Sequence, residues 1–173
     1  MGRAILRFGA VVLAVFTGGC ASDVRRVDGA FSHARHGYTI EALGPDWEAV
    51  DVDHATLTFA RAPSETMSLK SRCGRPVAKA DLMARHLLIG LDPREVVTSE
   101  PVAVDGRDGW LQVVRTEREG RPVWLRTVTL VAGGCSFDWV LATARRASPA
   151  EADFDAWWGS FRLAESRAGE PGS

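Results

Sequence analysis

Trp110-Leu-Gln-Val-Val-Arg-Thr-Glu117, Val123-Trp-Leu-Arg-Thr-Val-Thr-Leu-Val131 and Cys135-Ser-Phe-Asp-Trp-Val-Leu-Ala-Thr143 are three runs rich in β-branched and aromatic residues, parted by short turns at Arg118 to Arg121 and at Gly133-Gly134. Such composition suits a pleated, half-buried surface, and the turns are too short for a crossover helix. The three runs therefore predict antiparallel neighbours. Val96 to Val104 leads into the first of them through Asp105-Gly106-Arg107-Asp108-Gly109, which makes four strands in a meander.

Earlier in the chain, Tyr38 to Leu43 alternates and ends at Gly44-Pro45-Asp46, and Trp47 to Val52, Thr56 to Arg61 and Met67 to Cys73 are further short strands. Between the two strand groups, Ala78 to Leu91 places Leu82, His86 and Ile89 at three- and four-residue spacing, the period of a helix packed on one side. A last helix is signalled by Ser148-Pro149-Ala150-Glu151, with serine as N-cap, proline at the first helical position and glutamate completing a capping box. Phe154, Trp157, Trp158 and Phe161 supply its apolar side. Two helices are too few to cover both faces of so many strands, but they can cover one. The expected fold is α+β, a mostly antiparallel sheet packed with two helices.

Pro45-Asp46-Trp47, the middle helix, the hairpin at Val104-Asp105-Gly106 and the closing helix with Trp158-Gly-Ser-Phe161 give the chain a resemblance to the PsbP-like superfamily over residues 36 to 163. The resemblance implies an α/β/α sandwich that serves as a docking or accessory module. It transfers no ligand or catalytic residue.

The N-terminus speaks for location. Arg3 and Arg7 precede the apolar run Gly9 to Phe16, which falls short of the ~20 residues that span a bilayer as a helix. This is the grammar of a signal peptide. Thr17-Gly18-Gly19-Cys20 resembles a bacterial lipobox, although Thr17 stands where an aliphatic residue is usual. The resemblance implies cleavage and acylation at Cys20, with secretion as a soluble protein the alternative. Ala21 follows the cysteine, so the expected address is the outer membrane, facing the periplasm. Residues 1–19 read as signal, 20–35 as lipidated N-terminus and tether, 36–164 as one α+β domain and 165–173 as a disordered tail.

Bulk composition agrees with one ordinary domain: 173 residues, 46% hydrophobic and 25% charged. Removing residues 1–19 leaves 19 basic against 22 acidic residues, far from the basic excess of a nucleic-acid binder.

Apart from Cys20, the cysteines are Cys73 and Cys135. Each is in phase with apolar neighbours on a strand, which permits a disulfide in an oxidising compartment; buried free thiols are the alternative. His33 and His36 fall in the expected tether, His54 in a turn, and His86 on the apolar side of the middle helix. They offer no set of three or four convergent metal ligands, and no cofactor is expected. Asp51 with Asp53, and Glu151 with Asp153 and Asp155, are carboxylate pairs without a nucleophile motif beside them; the second group decorates a helix start, where it favours the dipole. Of six tryptophans, Trp157 and Trp158 are adjacent on a helix and cannot face the same way. They fill a core or form a binding surface. The expected function is a non-enzymatic envelope lipoprotein docking a protein partner, with a carrier or sensor of a small apolar ligand as the alternative.

Overall fold

The computed structural model describes residues 23–53, 55–74 and 78–164. The expected signal segment and tail, Cys20 and His54 lie outside the described residues. In chain order the elements are β1 (Val24–Val27), β2 (Ala30–His33), β3 (Tyr38–Glu41), β4 (Glu48–Ala49), β5 (Leu57–Arg61), β6 (Glu65–Cys73), α1 (Ala80–Leu87), β7 (Arg94–Val104), β8 (Arg107–Arg118), β9 (Arg121–Ala132), β10 (Cys135–Thr143), α2 (Ala150–Gly159) and β11 (Arg162–Leu163). Seven strands form one sheet in the order β4-β5-β6-β10-β9-β8-β7, and four form a second in the order β1-β2-β3-β11. All pairings are antiparallel.

Two-residue turns set the register of the long meander. Asp105-Gly106, Glu119-Gly120 and Gly133-Gly134 each place both residues at positive φ, the geometry whose twist matches that of the flanking strands. Asp28-Gly29 does the same between β1 and β2. This hairpin corrects the tether: residues 24–33 are paired strands, and the domain begins at least twelve residues before the expected boundary at 36. Three of the four residues of β1 are exposed. An edge strand that buries so little leaves no apolar alternation to read.

The register puts Leu111 of β8, Val128 and Leu130 of β9, Phe137, Trp139 and Leu141 of β10, and Met67 and Leu69 of β6 on one face of the large sheet. Over that face close β3, α2 and the residues after it, contributing Tyr38, Phe154, Trp157 and Phe161. Trp139 is fully buried, with its ring centroid 4.9 Å from Phe161 and edge-on to it. Truncating either ring would cost about 3–5 kcal/mol.

The two helices do not share a face. α1 packs across β8 and β9 on the opposite side, where Ala84, Leu88 and Val114 are buried apart from the main cluster. Layering is therefore α/β/α, as the resemblance implies, and the expectation that one face holds both helices is wrong. The buried stripe of α1 also differs from the expected one: Leu82 and Ile89 are 39% and 72% exposed, and His86 is exposed as well. α1 carries two overlapping apolar stripes, and the one bearing the small Ala84 permits the closer approach to a sheet.

The start of α2 follows its signal in part. Ser148 Oγ accepts the amide of Ala150 at 3.2 Å, so the serine does cap. Its hydroxyl donates to Glu65 of β6, and the Glu151 amide donates to the Ser148 carbonyl at 3.0 Å, so the serine is fixed by a distant strand and the reciprocal bonds of the box are not made.

Candidate functional site

Along β9, burial falls from complete at Leu130 and Val128 to partial at Arg126 and Trp124, which point to the same face. α2 flanks them. Arg126 donates from Nε to Asp155 Oδ1 at 3.1 Å and from a terminal nitrogen to Oδ2 at 3.0 Å, a forked pair. Trp158, one helical turn further on, donates its indole N–H to the same Oδ1 at 3.0 Å. The Arg146 guanidinium stands 5.6 Å from the Trp124 ring centroid. Trp124, Arg126 and Arg146 border a cleft of about 130 Å³ whose lining also includes Thr98, Val113, Leu141 and Thr143. The outcome is a shelf of two half-buried indoles, Trp158 held by Asp155 and Trp124 facing the Arg146 guanidinium. Tryptophan and arginine are the residue types that dominate protein-binding hot spots.

A second network ties α2 to the β5–β6 hairpin. Arg61 donates to Glu65 and to Asp153, both at 2.7 Å, and lies 4.5 Å from the Trp47 ring, whose indole N–H reaches Asp153 at 3.2 Å. Burial pushes the Glu65 carboxyl up, but hydrogen bonds from Ser148 and Arg61 outweigh it and hold the group below the usual carboxylate range. Every strong polar group here already has a partner, which marks a clamp and not a reactive centre. The adjoining cleft of about 540 Å³ is lined by Arg61, Glu65, Arg145 and the turn Ala62-Pro63-Ser64.

A third cluster draws together residues that the sequence left apart. His33 and His36 stack with centroids 4.0 Å apart, and His36 Nδ1 meets Ser71 Oγ of β6 at 2.7 Å. Ser71 Oγ also lies 3.1 Å from Thr56 Oγ1. Burial, and then the neighbouring His36, depress the His33 pKa; burial and then Arg35 depress that of His36. Tyr38 is pushed up to about 12 by burial, with Ser71 opposing. A serine beside an imidazole is half of a nucleophilic pair. Ser71 is nonetheless buried and shared with Thr56, so its hydroxyl is not presented to a substrate.

Cys73 and Cys135 are directly opposed in the β6–β10 register and are disulfide-bonded. Trp157 is only 2% exposed, edge-on to Phe59, with its N–H on the Glu41 carbonyl. It is a core residue, which corrects its assignment to a binding surface, because its side of α2 faces the sheet. Trp158 is half-buried and belongs to the shelf. Asp51 and Asp53 are exposed, whereas Asp153 and Asp155 each hold an arginine. Among the described residues no three His, Cys, Asp or Glu side chains are placed to share a metal ion. Arg126 and Arg146 were not singled out in the sequence; Arg126 meets Asp155 only once β9 lies beside α2. The histidine cluster was hidden by the tether reading, though the spacing of His33 and His36 was visible.

No protein-family model and no curated protein matches the sequence. Solved structures do match. The solution structure of cyanobacterial PsbP (CyanoP) from Synechocystis sp. PCC 6803 is similar with a TM-score of 0.60 and 17% identity, over 88% of this chain and 98% of that one. LpqN of Mycobacterium tuberculosis, described as involved in cell envelope biogenesis, is similar with a TM-score of 0.56 and 17% identity, over 77% of this chain and 88% of that one. The Ran-binding protein Mog1p of Saccharomyces cerevisiae is similar with a TM-score of 0.53 and 11% identity, over 76% and 93%. With its antiparallel seven-stranded sheet between two helices, the chain has a PsbP-like α+β fold.

Proposed function

We propose that this chain is an exported lipoprotein, anchored by an acylated Cys20 in the outer membrane and facing the periplasm, that acts without catalysis as a docking or accessory module for an envelope protein. The observation that carries the docking role is the shelf in which Asp155 holds Arg126 and Trp158 while Arg146 faces Trp124. Its indoles are oriented before any partner arrives, so little side-chain entropy remains to be lost on binding. Similarity to LpqN, a cell-envelope protein by its description, and to a Ran-binding protein supports the reading without naming a partner. Docking is favoured over an apolar ligand carrier because the clefts at the shelf and beside Arg61 are rimmed by charged groups. Filled aromatic packing around Trp139 favours it too.

In-cell crosslinking followed by pull-down from native membranes tests the proposal. A partner captured by the wild type and lost from Trp124→Ala and Trp158→Ala is the expected result, with Trp110→Ala as a control away from the shelf. If the shelf variants capture the same partners in the same yield, docking is not there. Anchoring is tested separately: intact mass shows acyl chains on the wild type and none on Cys20→Ser.

A further inference from the structure

The turn from β2 to β3 is held by a bond that exists in only one protonation state. The His36 backbone amide donates to His33 Nδ1 at 3.1 Å, and a ring nitrogen that accepts carries no proton. His33, only 5% exposed, is thus neutral in this arrangement. His36, stacked on it, is fastened through Nδ1 to Ser71 of the large sheet, and Ser71 is fixed in turn because its own amide donates to Thr56 Oγ1 at 3.0 Å. The imidazole pair is consequently a polar link between the small sheet and β6 at this end of the domain.

Protonating His33 turns the acceptor into a donor that faces another donor. Protonating both rings sets two positive charges 4.0 Å apart, one on the buried His33 and one on the half-buried His36. The surrounding groups do not offset this. Asp23, just before β1, favours the charged forms, but burial and the Arg35 guanidinium oppose it at both rings; Tyr38, Thr56 and Ser71 are uncharged at neutral pH.

We propose that His33 and His36 form an acid-sensitive latch, which holds the hairpin β1–β2 on the domain while both rings are neutral and releases it when His33 takes up a proton. The hairpin is the segment nearest Cys20, so the latch governs the join between the domain and its N-terminus, whether or not that cysteine is acylated. The sign follows from linkage. Both folded pKa values lie below the ordinary 6.5, so the open form binds protons more readily than the closed one. Latch stability is complete above about pH 6.5 and falls as pH drops from there toward the lowered folded values.

Hydrogen exchange of the full chain at about pH 7.5 and about pH 5, corrected for intrinsic rates, reads this directly. Exchange in residues 24–37 should rise at least about fivefold at the lower pH relative to β8 and β9, which serve as internal reference. His33→Asn keeps an acceptor at the Nδ1 position but does not titrate, and its rise should vanish. Equal relative protection at both pH values in the wild type overturns the proposal, as does an undiminished rise in His33→Asn. Should that variant fail to fold, ring-nitrogen NMR of the wild type decides. The latch requires His33 to be the Nε2–H tautomer and to titrate below 6.5; titration at or above that value sinks it.

Discussion

Cys73 and Cys135 are directly opposed partners in the β6–β10 ladder, and their sulfurs are bonded across it with Cα atoms 4.0 Å apart. The bridge closes a loop spanning 62 residues that includes α1 and the β7–β8 and β8–β9 hairpins. Tying the chain there restricts the unfolded ensemble more than the folded one. In the chain-entropy model such a loop contributes about 4 kcal/mol. Cys73→Ser with Cys135→Ser is therefore expected to lower the unfolding free energy read from urea denaturation by roughly that amount without changing the fold. Thiol titration of the denatured, unreduced wild type should find neither cysteine free; two reactive thiols would refute the bridge.

Much of this pairing was legible in the sequence because the strands in question are long and their turns obey simple rules. β10 runs from Cys135 to Thr143 as read, and the shared phase of Cys73 with Leu69 and of Cys135 with Phe137 foreshadowed their meeting. What escaped notice was short or depended on distant partners. Val27-Asp28-Gly29-Ala30 has the same Asp-Gly turn as Val104-Asp105-Gly106-Arg107, and that signal could have revealed the first hairpin. It was masked by Arg25 and Arg26 on an edge strand that does not need an apolar face. The shelf was only half visible, since adjacent Trp157 and Trp158 must diverge, yet nothing local says which faces inward. Phe59 settles it by packing edge-on against Trp157. His36 likewise gains its meaning from Ser71, 35 residues away.

The clamp at Arg61 predicts an asymmetry between two substitutions. Arg61→Ala leaves the Asp153 and Glu65 carboxylates without their shared donor and uncovers the face of Trp47. Loss of charge-assisted hydrogen bonds of this kind costs about 1–3 kcal/mol. Arg61→Lys keeps the charge but not the fork or the stacking plane, so it should recover less than half of the loss. Chemical denaturation of the three proteins checks this. Lysine matching arginine would mean that charge alone matters there.

Asp138 predicts a gain in stability. It lies on the α1 side of the large sheet, 3% exposed, and accepts a hydrogen bond from Thr129 Oγ1 at 2.9 Å. Burial raises its pKa, against the pull of Thr129 and of the Arg72 and Lys70 charges. A carboxylate raised in the folded state binds its proton more tightly there than in the unfolded chain. Its ionisation therefore costs stability as pH climbs from the ordinary value of 3.8 through the raised one. Asp138→Asn preserves the acceptor for Thr129 and removes the charge. Its Tm should exceed that of the wild type at neutral pH, with the margin shrinking on acidification. A margin that is constant with pH, or of opposite sign, would show that the ionised carboxylate is net stabilising.

Gly109 predicts a loss that composition alone does not foretell. It sits within β8, buried, one residue from the half-buried Trp110. A Cβ placed there would come 2.9 Å from Val104 Cγ2, 3.1 Å from the Thr129 carbonyl and 3.3 Å from the Val102 carbonyl. Val104 is fully buried on β7, and the carbonyls lie on the two strands that flank β8, so none of the three can yield cheaply. Gly109→Ala should cost about 1–3 kcal/mol, the range for overpacking a filled core, despite alanine's lower unfolded-state entropy. Much of the strain comes from one methyl group, so adding Val104→Ala should relieve it. The double variant should be more stable than the sum of the single losses predicts, by at least about 0.5 kcal/mol. Urea denaturation of the four proteins measures that coupling. Strict additivity would place the strain in the carbonyl contacts instead, and a Gly109→Ala midpoint equal to that of the wild type would show that β8 has room for a side chain.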